Sequence, residues 1–125
     1  MTALKMKKEL ESLLSSFLNK KRTAPEMNFA LRCLISGVSR IRANKYWPKD
    51  EMKRTVTPTG SLLGTWQTNG FSFGTKITCT EFEKKLNSLI DEFLKDSPKS
   101  DDLLSIWQGL LELSNIVQHK LISTQ

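Results

Sequence analysis

The chain holds a single histidine, His119, and two cysteines, Cys33 and Cys79. A structural zinc site takes four close Cys, His or carboxylate ligands and a catalytic one three, and a Cys–His dyad needs a histidine beside the cysteine. Neither set can be drawn from these residues. His119 stands near the chain end, where a helix C-terminus favours a cation. Two cysteines so far apart make no disulfide framework and read as free thiols in a reducing compartment. No run approaches the roughly 18 apolar residues that span a bilayer. No apolar segment follows the basic start Met1-Thr2-Ala3-Leu4-Lys5, so no signal peptide is read. A cytoplasmic protein follows as the expectation, with a nuclear one as the variant.

Catalytic and phosphate-binding motifs are missing as well. Gly70-Phe71-Ser72-Phe73-Gly74-Thr75-Lys76 has neither the spacing nor the Lys-Thr order of a phosphate loop. No G-x-S-x-G is present. Asp91-Glu92 and Asp101-Asp102 are adjacent pairs, and neighbouring helical positions diverge by about 100°, so neither pair faces one substrate. The expectation is a non-enzymatic protein with no cofactor, no metal and no small-molecule substrate.

What remains is ordinary in amount but uneven in placement. Hydrophobic residues are 38% and charged residues 26% of the 125 residues, as in one soluble domain spanning 1–125. Residues 1–55 carry 13 Lys or Arg against 5 Asp or Glu, a net +8; residues 56–125 carry 6 against 8, a net −2. A basic half beside a near-neutral half suggests one anion-preferring surface. Nucleic acid is the first partner to consider, an acidic protein surface the second. A membrane surface is disfavoured, because Glu9 and Glu11 interrupt the polar face of the first helix.

Four prolines punctuate a largely helical pattern. Residues 3–19 repeat apolar side chains at helical spacing through Leu4, Met6, Leu10, Leu13, Leu14, Phe17 and Leu18. Thr23-Ala24-Pro25-Glu26 is a capping box that opens a second helix over 25–45. Met27, Ala30, Leu31, Leu34, Ile35, Val38 and Ile41 form its core face. Phe29, Arg32, Ser36, Ser39 and Arg40 lie opposite. Thr80-Glu81-Phe82-Glu83 opens a third helix to about Lys95, and Ser100 caps a fourth. The short link Ser97-Pro98-Lys99-Ser100 predicts that the last two helices pack as an antiparallel pair. The fourth helix is apolar around more than half its surface. Either it is central, or Ile106, Trp107, Leu113 and Ile116 form a contact for a partner or a second copy.

Between the second and third helices, Asn69-Gly70 divides two alternating runs and predicts a β-hairpin over residues 62–77. Trp66, Thr68, Phe71 and Phe73 would share its aromatic face. Without local cations other than Lys76, those rings predict an anchor to the core more than a platform for bases. The expected fold is therefore mainly α, four helices packed as a small bundle with one inserted hairpin. The alternative is an α+β domain in which Arg54–Thr59 adds a third strand.

The expected function is nucleic-acid binding, RNA or single strands favoured, with little sequence preference. Its residues are Lys20, Lys21, Arg22, Phe29, Arg32, Arg40, Arg42, Lys45, Lys49, Lys53 and Arg54. Arginine forks onto phosphate oxygens, serine donates to them, and a phenylalanine ring can stack on an unpaired base. The alternative is a helical protein-interaction module or homodimer built on the fourth helix.

Overall fold

The computed structural model describes residues 1–49, 63–68 and 77–124. The described residues form four helices, α1 (Ala3–Leu18), α2 (Ala24–Arg42), α3 (Cys79–Lys95) and α4 (Ser100–Thr124), and contain no strand. The mainly α bundle agrees with the periodicity of the sequence.

The helix starts follow local chemistry, with two corrections. Thr2 caps α1 by accepting from the Lys5 amide at 3.1 Å. Thr23 and Glu26 form the expected reciprocal box at α2. At α3 the box is Thr78 with Glu81, where both bonds measure 3.1 Å. Thr80 and Glu83 match the same pattern, but the hydrophobic staple decides between them. Ile77 precedes Thr78 and Phe82 stands four residues after it, and both are buried. The competing frame would pair Cys79 with the exposed Lys84. At α4 the Lys99 carbonyl accepts the first helical amide, from Leu103 at 3.0 Å. The Ser100 hydroxyl does not cap; it donates to the Tyr46 carbonyl at 2.9 Å.

Contacts at the helix ends set the directions. The N-terminal ammonium meets the Asp96 carboxylate, placing the start of α1 beside the end of α3. The Ser100 to Tyr46 bond places the start of α4 just past the end of α2. Arg22, in the α1–α2 turn, reaches the Ile77 carbonyl just before α3. So α1 and α4 run one way, α2 and α3 the other. Packing is between halves: α1 and α2 each lie against both α3 and α4, while α1 does not pack on α2, nor α3 on α4. This corrects the expected α3–α4 pair. A link spanning residues 96–99 reaches about 16 Å when extended. That exceeds the roughly 11–14 Å diagonal of four helices packed 8–10 Å apart, so a short link does not compel adjacency.

The core is continuous from Met6, Leu10 and Phe17 through Leu34, Ile41 and Ile90 to Leu103, Ile106 and Leu110, all essentially sealed from solvent. The Phe17 and Phe82 rings meet at 4.9 Å between centroids. Ile106 and Leu113 are 0% exposed. The apolar breadth of α4 is thus used inside this chain, and these two residues are withdrawn from the interaction surface. Ile35, by contrast, was expected in the core and is 49% exposed.

The hairpin predicted over 62–77 falls mostly outside the described residues, including its turn Asn69-Gly70 and both Phe71 and Phe73; Arg54–Thr59 also lies outside them. The described part of its first arm, 63–68, carries no strand pairing. It climbs along α1 instead, and side chains of α1 meet its backbone. Lys7 Nζ donates to the Leu63 carbonyl at 2.9 Å. The Gln67 amide donates to Glu11 Oε2 at 2.6 Å. The Ser15 hydroxyl donates to the Thr68 carbonyl. Lys7, Glu11 and Ser15 are four residues apart and so form one stripe. Glu11, expected on the polar surface, is buried beneath this segment.

Trp66 is the anchor of that segment and is 4% exposed. Its indole lies directly on the backbone of Gly109 in α4, where a Cβ would fall 2.0 Å from Trp66 Cζ2. Burial also raises the pKa of the neighbouring Glu112, against the opposing pulls of the Trp66 amide and of Lys7. In an open helix Gly→Ala would stabilise by about 1 kcal/mol. Here Gly109→Ala is expected to destabilise by about 1–3 kcal/mol through overpacking. In a denaturation double-mutant cycle with Trp66→Ala, the penalty of Gly109→Ala should disappear once the indole is removed. An additive cycle would refute this seat.

A candidate nucleic-acid interface along α2

The buried face of α2 consists of Met27, Ala30, Leu34, Gly37 and Ile41. Gly37 lets α2 approach α3 and α4 closely, since a Cβ there would lie 2.8 Å from Ile90 Cδ1 and 3.6 Å from Leu110 Cδ1. Because α2 and α3 run parallel, residues 33 to 40 of α2 face residues 83 to 91 of α3 in the same order. Arg40 forms an ion pair with Asp91. Cys33 Sγ donates to Glu83 Oε2 at 3.8 Å. Burial, and then the charge of Glu83, push the Cys33 thiol up to about 11. At neutral pH it is therefore a protonated thiol and a poor nucleophile. Beside these contacts a groove of about 440 Å³ is lined by Phe29, Arg32, Cys33, Ser36, Glu83 and Asn87.

The eleven cation and ring positions expected from the sequence divide clearly. Lys20, Lys21, Arg32, Arg42, Lys45 and Lys49 are exposed. Lys20 and Lys21 share a depression of about 350 Å³ with Lys120 and Ser123 at the end of α4. Lys45 lies over the Tyr46 ring at 5.0 Å. Phe29 is half-buried and lines the α2–α3 groove. Arg40 is engaged by Asp91. Lys53 and Arg54 lie outside the described residues.

Arg22 is a correction. Its side chain is 2% exposed. Its Nε donates to the Phe17 carbonyl at 2.8 Å, one terminal nitrogen to Glu26 at 3.1 Å, and the other to the Ile77 carbonyl. The guanidinium also stacks 4.0 Å from the centre of the Phe17 ring. It is a structural tie and is unable to meet a phosphate. On α4, with Ile106 and Leu113 in the core, Trp107 is half-buried with its ring edge-on to Trp47 at 5.4 Å, and Ile116 is half-buried.

Glu83 and Asn87, which line the groove beside α2, carry no sign of that role in the sequence. Their i, i+4 spacing, continued by Asp91, marks a polar stripe on α3, but only the parallel packing shows which helix it faces. A second groove, about 570 Å³, lies between α1 and α3, and Glu9 and Glu92 offset Lys84 and Lys85 around it. Its lining is charge-balanced, as is that of the α2–α3 groove, where Arg32 stands with Glu83; what sets the α2–α3 groove apart is the Phe29 ring and the exposed cations near the ends of α2. Among the described residues no group of three or more His, Cys, Asp or Glu is placed to hold a metal, and no helix is long and apolar enough to cross a membrane. Comparison with known proteins finds no matching family model, no matching curated protein and no matching solved structure.

Arg22→Lys keeps the charge but loses the planar fork. Leaving buried carbonyls short of a donor should cost about 1–3 kcal/mol in denaturant titration, with oligonucleotide affinity unchanged at temperatures where the variant is folded. A fall in affinity with unchanged stability would contradict the structural assignment.

Proposed function

We propose that this protein is a non-enzymatic nucleic-acid-binding bundle that holds single-stranded RNA or DNA along α2. The observation that carries the reading is the α2–α3 groove, which gathers a half-buried ring (Phe29), a guanidinium (Arg32) and a hydroxyl (Ser36) in one concavity. Those are the groups that stack on a base and bind a phosphate. Exposed cations stand at both ends of α2, Lys20 and Lys21 before its first turn, beside the end of α4, and Arg42, Lys45 and Lys49 at or after its last turn. The 19 residues of α2 give it a length of about 28 Å at the rise of a helix. A single strand suits this surface better than a duplex, because an aromatic floor needs an unpaired base. The low cysteine content suits a reducing, cytoplasmic setting.

Phosphate contacts by six exposed cations predict a log–log salt slope of about −4 for single strands. Fluorescence anisotropy with an unstructured uridine oligomer over a salt series measures it. Arg32→Glu and Lys45→Glu should each weaken binding about tenfold at low salt. The same reversal at Lys84 or Lys85, in the charge-balanced α1–α3 groove, should change it less than about twofold. Absence of binding at low salt, or binding indifferent to salt, would sink the reading. Light scattering on the same samples reports whether a second copy joins through Trp107 and Ile116.

A further inference from the structure

We propose that the α2–α3 groove is a base pocket selective for guanine, with Glu83 and Asn87 reading the base edge while Phe29 supports its face. The inference rests on the single-strand reading above and adds specificity to it. The groove volume of about 440 Å³ falls within the roughly 300–1,000 Å³ of small-ligand sites. Phe29 stands on the α2 side, one helical turn before Arg32 and Cys33, while Glu83 and Asn87 stand on α3. Spacing of i, i+4 puts the α3 pair about 5–6 Å apart at Cβ on one face.

The chemistry of that pair is selective. A carboxylate only accepts, with two oxygens side by side. Guanine alone presents two neighbouring donors on its pairing edge, N1–H and the N2 amine, with the O6 acceptor next to them. Adenine and cytosine each offer a single amine beside an acceptor. Uracil offers one N–H between two carbonyls, which a carboxylate repels. Glu83 therefore takes N1–H and N2–H, and the Asn87 amide donates to O6. The bond from Cys33 occupies one site on Glu83 Oε2 and leaves the other lone pairs of the carboxylate available. Arg32, exposed at the rim, is placed for the attached phosphate and offsets the Glu83 charge that would otherwise repel the strand.

The test is anisotropy with uridine decamers that carry isolated guanine, inosine, adenine or cytosine substitutions, spaced to prevent quadruplexes. Guanine should bind about tenfold tighter than inosine, which lacks the N2 amine, and tighter still than adenine or cytosine. Glu83→Gln should erase the guanine-to-inosine ratio and raise affinity for the all-uridine decamer, because a negative charge is removed from the groove. Asn87→Ala should lower guanine and inosine affinity together. Glu83 and Asn87 are both exposed, so these variants should fold, and circular dichroism checks that they do. Equal affinity for all decamers with the steep salt slope retained would overturn the base pocket and leave the backbone reading standing. No binding to any decamer at low salt would overturn both.

Discussion

The buried Arg22 side chain ties together the end of the bundle on which the rest depends. One guanidinium reaches the last turn of α1, the first turn of α2 and the residue that leads into α3. An aliphatic side chain at this position would leave the Ile77 and Phe17 carbonyls short of donors in a closed space. A charge alone would be costly to bury. The planar fork satisfies the carbonyls, Glu26 balances the charge, and the Phe17 ring takes the flat face. The tie fixes where α3 begins relative to α2, and hence that the two helices descend side by side.

That parallel arrangement creates the candidate site. Antiparallel neighbours would have brought the N-terminal half of α2 to the C-terminal half of α3 and Phe29 to Glu92 or Lys95. The parallel pair instead sets Cys33 against Glu83 and Arg40 against Asp91, with Phe29, Arg32 and Asn87 lining the same groove. It also changes the electrostatics. The outer face of α2 reads as arginines among serines in the sequence, but the α3 stripe pairs Arg40 with Asp91 and places the Glu83 carboxylate in the groove. The exposed side of α2 therefore carries cations with one carboxylate among them.

Parallel neighbours also require a connection that returns the length of the bundle. Residues 63–68 supply part of it, laid in the α1–α4 groove and held by the Lys7, Glu11 and Ser15 stripe and by the Trp66 seat on Gly109. The extended backbone there finds its hydrogen bonds on helix side chains. The alternation of Trp66 and Thr68 read as a strand because an extended segment pressed on a helical layer also buries every second residue.

Periodicity and capping chemistry determined the four helices, their approximate bounds and most of the core, since a 3.6-residue repeat is a local property of the chain. The exposed Lys20, Lys21, Arg32 and Lys45 were legible for the same reason. What only the tertiary structure decided is which side chains meet across helices. Arg22 reads as one more cation beside Lys20 and Lys21, and its burial depends on Ile77, distant in sequence. Glu11 reads as surface, and its burial depends on Gln67. Ile106 and Leu113 read as a partner face until the packed bundle is found to bury them, and Glu83 has no meaning for α2 until the helices lie parallel. Each of these is a contact between residues far apart in the sequence, set by helix packing, direction and chain reach, and no local pattern records it.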